Sequence, residues 1–143
     1  MIKQFNKEYN WLSNFAPCKI IIGDLEFSSV EHAYMSEKST DRDWKEICAD
    51  KSNSPANIKK VSKMVELRED WEDIKLSVME KCIDQKFSQE PYETLLLATK
   101  NEMIQEGNWW GDTFWGVDLK TEKGKNNLGK LIMEKRNKLK YGK

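Results

Sequence analysis

The sequence predicts a mainly helical α+β fold, one domain over residues 1–143 with a small β-sheet. Three observations predict it. Apolar residues recur at helical spacing in several separate stretches, while Lys19 to Phe27 alone reads as strand, turn and strand. With 143 residues, 38% of them apolar and 34% charged, the chain can enclose one sizeable core under a polar surface. No internal repeat, linker or low-complexity stretch divides it.

Taken in order, Ile2 to Phe5 reads as a short strand. Tyr9 to Pro17 mixes aromatics with Asn and Ser without a period, which predicts a loop with buried rings. Lys19-Ile20-Ile21-Ile22, Gly23-Asp24 and Leu25-Glu26-Phe27 read as a β-hairpin, with glycine supplying the positive φ of a tight turn. The first helix opens at Ser28-Ser29-Val30-Glu31. There Ser28-x-x-Glu31 has the pattern of a capping box, which would spend the Glu31 carboxylate on the cap N–H. Glu31, Tyr34, Met35 and Lys38 share one face of that helix, and His32 is expected to be a partly buried ring with a satisfied hydrogen bond.

Asp43 to Ala49 forms a short helix with Trp44, Ile47 and Cys48 on one side. Ser54-Pro55 starts another, Ser as N-cap and Pro at the first helical position, leading through Ile58, Val61 and Met64 or Val65. Asp70 to Phe87 is the longest. It carries Trp71, Ile74, Val78 and Cys82 on one side and Leu76, Met79, Ile83 and Phe87 on the other, so it is expected to run covered through the middle of the domain. Pro91 starts the next helix, with Tyr92, Leu95 and Leu96 inward. Met103 to Gln105 and Val117 to Leu119 are short strands flanking a Trp-rich segment. Asn126 or Asn127 caps the last helix, whose Leu128, Leu131, Ile132 and Leu139 face the core.

That Trp-rich segment sets Trp109, Trp110, Phe114 and Trp115 around Asp112, between Gly107, Gly111 and Gly116. So many rings among glycines cannot enter a core through one face. Either a loop presents the rings and an acid to a ligand, or an aromatic loop packs over the core. Just beyond it, Gly124-Lys125-Asn126-Asn127-Leu128-Gly129 leads into the last helix. Free N–H groups and positive charge there would suit a phosphate.

Composition excludes several classes. One histidine rules out a histidine-rich metal centre. Cys18, Cys48 and Cys82 are odd in number and in no paired motif, and so read as reduced thiols of a cytoplasmic protein. No apolar run is long enough to span a bilayer, and the start lacks the apolar block of a secretory signal. The dinucleotide, phosphate-loop and nucleophile-elbow glycine motifs are absent. Net charge is zero, yet nine Lys or Arg face two Glu between Lys120 and Lys143. Such a run is either a solvated helix face or an attraction for nucleic acid.

Several motifs in chain order resemble one family. They are Leu12-Ser13-Asn14-Phe15-Ala16-Pro17, Val30-Glu31-His32 with Lys38, Ser54-Pro55, Arg68-x-x-Trp71, Val78-Met79, Lys86-Phe87 and Leu96-Leu97-x-Thr99. Asp112-x-x-Trp115-Gly116 follows, then Gly124-Lys125-Asn126-x-Leu128-Gly129 with Met133 and Arg136. The resemblance is to the NADAR, or YbiA-like, domain and runs from about Phe5 to Leu139. It implies an N-glycosidase that hydrolyses the C–N bond joining a phosphoribosyl or ADP-ribosyl group to a base or amine, with no metal and no cofactor. Substrates in the family include phosphoribosylamino-pyrimidine intermediates of riboflavin synthesis and ADP-ribose on nucleobases. An ADP-ribosylated nucleic acid is therefore one partner class, and no membrane is involved.

Cleaving such a bond develops positive charge on the sugar carbon and negative charge on the base. Glu31 and Asp112 are the candidate catalytic carboxylates, their division of roles left open. Asn14 and Phe15 are candidates for the sugar and base, Trp110 and Trp115 for stacking, and Trp71 for the same pocket. Lys38, Lys86, Lys125 and Asn126 are candidates for phosphate or charge pairing. The chain departs from relatives at Met35, Ser39, Ser62 and Lys63, where Gln, an aromatic, Gly and Arg are frequent. Met35 removes a hydrogen-bonding side chain beside Glu31, which bears on the substrate more than on the reaction. Two other readings remain: a non-catalytic module for ADP-ribose or NAD, and a nucleic-acid-binding domain using the basic C-terminal stretch.

Overall fold

The hairpin forms where the sequence places it. In this computed structural model, which describes residues 1–142, β1 (Pro17–Ile22) pairs antiparallel with β2 (Leu25–Ser29). Gly23 turns the chain at φ +59°, and Ile20 and Phe27 point into the core. The described residues fall into two compact units, one of Asn14–Lys86, the other of Met1–Ser13 together with the chain from Phe87 onward. No helix among them is long and apolar enough to cross a membrane.

In the first unit the hairpin runs directly into α1 (Val30–Ser36), followed by α2 (Arg42–Ala49), α3 (Pro55–Val61) and α4 (Trp71–Lys86). Every residue of α1 is buried, and it packs against β1, β2, α2, α3 and α4. The centre of this unit is thus the short helix, not the long one predicted to be covered. The reason lies in α4 itself. Glu72, Asp73, Ser77, Glu80, Lys81 and Asp84 form a solvated face, and Leu76 lies among them, 44% exposed. Ser54 caps α3 by accepting the Asn57 N–H, with Pro55 opening the helix, both as read from sequence. The expected apolar stripe does not reach Met64, which is 87% exposed, because the chain tightens into a 3-10 turn at Ser62–Met64 and rotates that side chain outward. Ile47 also faces out, while Trp44 and Cys48 are buried.

The second unit holds α5 (Tyr92–Ala98), α6 (Asn127–Tyr141) and a parallel pair of two-residue strands, β3 (Gly107–Asn108) and β4 (Val117–Asp118). A parallel pair needs a crossover, and the Trp-rich segment supplies it. The strand expected at Met103–Gln105 is a single bridge, Ile104 to Ile2, so Ile2–Phe5 is not a strand either. Lys7–Leu12 forms a 3-10 helix where a loop was expected, with Trp11 set edge-on to Phe87 at 6.4 Å and Phe87 edge-on to Tyr92 at 6.2 Å. Of the rings expected to be buried between Tyr9 and Pro17, Tyr9 and Trp11 are half-buried, and Phe15, in the first unit, is exposed. Leu128 and Ile132 of α6 are buried, whereas Leu131 and Leu139 are half-buried.

Candidate active site

The site begins with one residue of register. The N-cap of α1 is Ser29, whose Oγ accepts the His32 N–H at 3.1 Å, and not Ser28. The capping box read from Ser28-x-x-Glu31 therefore does not form. Glu31 falls at the second helical position and its carboxylate is released from cap duty. His32 is satisfied as expected, Nδ1 bonding Ser29 Oγ at 2.6 Å and Nε2 bonding the Asn53 carbonyl at 2.7 Å.

Glu31 is 5% exposed, and its Oε2 has no hydrogen-bond partner. Burial pushes its pKa from the ordinary 4.5 up to about 7, against the opposing pull of Lys59 and Lys38. Lys38 is shifted the other way. Its burial lowers the ammonium pKa, Glu31 resists that shift, and Lys59 and Lys75 add to it. The Lys38 Nζ stands 5.9 Å from the centre of the Tyr34 ring, and that ring meets Trp71 at 5.1 Å with a tilt of 58°. Asn14 accepts the Glu31 backbone N–H on its carbonyl at 3.0 Å, while Lys59 Nζ lies 5.8 Å from the centre of the neighbouring Phe15 ring. The Asn14 side chain donates weakly to Met79 Sδ at 3.8 Å, and its Oδ1 is buried without a partner. Lys86 is fully buried, and burial brings its pKa from 10.5 down to about 7, with Cys18 opposing. The first unit thus contains Asn14, Phe15, Glu31, Lys38, Trp71 and Lys86 of the predicted set, and adds Lys59. Nothing in the sequence marks Lys59, since it lies on a different helix from Glu31.

The other predicted residues belong to the second unit and gather in one loop. Asp112 Oδ1 accepts the backbone N–H groups of Phe114 at 3.0 Å and Trp115 at 2.9 Å, closing an Asx turn. Asn108, 1% exposed, locks the same loop. Its Oδ1 accepts the Asp112 N–H, and its Nδ2 donates to the Asp112 carbonyl and to Glu106 Oε2. Sequence reasoning missed Asn108, although its buried place beside two tryptophans is what a loop-locking amide needs. Trp109 and Trp110 are 59% and 69% exposed, while Trp115 is half-buried, edge-on to Phe114 at 4.8 Å.

The start of α6 differs from expectation. The N–H groups of Lys125, Asn126, Asn127 and Leu128 donate to the carbonyls of Thr113, Gly116, Phe114 and Trp115. They are not free for a phosphate. Asn126 holds the N-cap position in the left-handed region at φ +54°, but its side chain makes no cap hydrogen bond. Its side chain accepts the Glu106 N–H and donates to the Ile104 carbonyl. Lys125 Nζ lies 5.7 Å from the centre of the Phe114 ring. Two open grooves of about 830 and 900 Å³, one in each unit, are lined by none of the predicted site residues. Both are shallow, and the groups with shifted proton affinity, Glu31, Lys38 and Lys86, lie outside them.

Residues 2–140 match the model of the NADAR domain. The chain belongs to the NADAR domain family. That match takes in the whole of the unit Asn14–Lys86 and all but the terminal residues of the other. N-glycosidase YbiA of Escherichia coli is 33% identical over 135 residues, covering 92% of this chain and 82% of that protein. An N-glycosidase of Nostoc punctiforme is 31% identical over 137 residues, covering 92% and 86%. A riboflavin biosynthesis protein of Vibrio vulnificus is 31% identical over 137 residues, covering 94% of this chain and 36% of that protein. The solved structure of Escherichia coli YbiA superposes with a TM-score of 0.83 at 30% identity, over 99% of this chain and 88% of that one.

Proposed function

We propose that this NADAR-family protein is an N-glycosidase, hydrolysing the C–N bond between a phosphoribosyl or ADP-ribosyl group and a base or amine. The observation that carries the proposal is Glu31, a buried carboxyl brought to a pKa of about 7 beside Lys38 and Lys59. An acid poised there exists in both protonation states near neutrality. It can give a proton to the departing nitrogen or take one from water, a contribution of about 10²–10⁴-fold in rate. The N-glycosidase names of the relatives support the reaction class. The riboflavin name of the Vibrio relative favours a phosphoribosylamino-pyrimidine as the small-molecule substrate. An ADP-ribosyl group on nucleic acid is the second arm.

In this reading, Lys38 and Lys59 offer positive charge to the phosphate. Lys86, as much amine as ammonium near neutrality, suits proton handling better than holding an anion.

The test incubates the protein with a ribosylamino-pyrimidine 5′-phosphate and with an oligonucleotide carrying ADP-ribosylated guanine, and follows released base by chromatography. Release from at least one is expected, with Glu31→Gln slower by about 10²-fold or more. If neither releases base while ADP-ribose binds, the protein is a binding module and the hydrolase reading is lost.

A further inference from the structure

We infer that an acidic groove in the first unit binds the basic end of α6 from a second copy of this chain, a head-to-tail contact between copies. The groove is the one of about 900 Å³, between the start of α2 and residues 64–70. Three apolar side chains from different segments meet in it. They are Ile47 of α2, Met64 of the 3-10 turn and Leu67 beyond that turn, all exposed. Single exposed apolar residues are common, but three gathered in one groove under a polar rim mark a contact surface. Met64 suits such a surface, since its unbranched thioether adapts to whatever is set against it.

Charge selects the occupant. Asp41, Asp43, Glu66 and Glu69 also line the groove, all exposed, and none of them forms an ion pair among the described residues. Arg68 is the one base lining it among those residues, and it is committed to Asp70 at 2.6 Å and Glu37 at 3.6 Å. Such a rim repels phosphates and acidic chains and attracts a cationic segment that also carries an apolar group. The chain itself supplies one. From Lys135 to Gly142 it has four Lys or Arg and no acid. Lys138 and Tyr141 stand three apart and share a face of α6, both exposed, the tyrosine by 72%. Lys140 is held by neutral groups, the Lys100 carbonyl and Asn101, which leave its charge uncancelled. Tyr141 set against Met64 and Leu67, with Lys138 and Lys140 towards Glu66 and Glu69, meets the apolar floor and the acidic rim together. The two surfaces differ, so the contact is heterologous. None of the residues given a part in the sugar-bond chemistry is used.

Sedimentation velocity of the full-length protein tests this over rising concentration, at about 0.05 M and about 0.5 M salt. Mass is expected to grow with concentration at low salt, and the association constant to fall by about tenfold or more at high salt. The sharpest arm mixes two variants. Glu66→Lys with Glu69→Lys spoils the groove and keeps the helix end; Lys138→Glu with Tyr141→Ala spoils the helix end and keeps the groove. Each is expected to stay monomeric alone, and the mixture to form one-to-one pairs and nothing larger. One intact groove then meets one intact helix end. Every changed side chain is exposed, so both variants should melt with the wild type, and the salt dependence reads the same contact without any substitution. A wild type that stays monomeric at low salt, association indifferent to salt, or a mixture that does not pair would each overturn the contact. So would a monomeric protein whose groove binds a synthetic lysine-rich amphipathic peptide, a result that would give the groove to a different chain.

Discussion

Glu31 holds its proton more tightly in the folded chain than in the unfolded one, because burial strips the water that would solvate its charge. Between pH 4.5 and about 7 the folded state therefore binds the extra proton, and stability falls as pH rises through that window. The span corresponds to an upper bound of roughly 3 kcal/mol. Lys86 acts in the opposite sense. Its folded pKa of about 7 lies below the ordinary 10.5, so the unfolded state binds more protons between those values and stability climbs with pH. Urea unfolding from pH 4 to 10 is expected to show a shallow minimum near neutrality. Glu31→Gln should flatten the acid side and Lys86→Met the alkaline side. A profile unchanged by Glu31→Gln would mean the carboxyl is not tuned as described. At this scale the sequence was legible in residue type and misleading in register. Ser28 and Ser29 are equally good caps, and only the fold of the hairpin decides between them. A shift of one position turns Glu31 from a capping acid into a buried acid that titrates near neutrality.

At the scale of elements, the Trp-rich crossover is held by its own polar atoms and by the absence of a side chain at Gly116. A Cβ there would fall on the Glu106 carbonyl and carboxylate, against backbone that cannot yield. Gly111 differs, since its φ of +81° favours glycine but nothing lies within 4 Å of an added Cβ. Gly116→Ala is accordingly expected to cost on the order of 2–4 kcal/mol, and Gly111→Ala about 1 kcal/mol of backbone strain. Thermal unfolding checks the difference, and equal costs would show that the loop does not close as drawn. The sequence located this crossover through its glycines and rings, because those are local signals. It placed the cap of α6 at Asn126 or Asn127, and Asn126 does hold the N-cap position, but without a side-chain cap bond. An Asn before a helix normally makes that bond, but here Ile104 and Glu106, distant in the chain, engage its side chain first. The hairpin and the Ser54-Pro55 start were read correctly for the complementary reason: their hydrogen bonds close within a few residues.

For the molecule as a whole, family membership was legible because many modest motifs recur in one order across the chain, and residues 2–140 match the NADAR domain. The charge run was less so, since sequence cannot tell a solvated lysine from an engaged one. In the structure Lys135 donates to Ser88, Lys140 to the Lys100 carbonyl and Asn101, and buried Arg136 to Thr99 and the Glu102 carbonyl. Those three fasten α6 inside its own unit. Lys120, Lys123, Lys125, Lys130 and Lys138 remain exposed in this stretch, and Lys143 lies outside the described residues. A single strand contacting all five exposed lysines would release counterions with a slope of log affinity against log salt of about −3.5. Unmodified single-stranded DNA is therefore expected to bind weakly, with a slope no steeper than that, when titrated by fluorescence anisotropy over increasing salt. Acidic side chains elsewhere in a chain of zero net charge weaken the attraction further. A steeper slope with tight binding at physiological salt would need more phosphate contacts than this stretch offers. That result would move the protein from the sugar-bond chemistry of Glu31 towards nucleic-acid binding as its primary task.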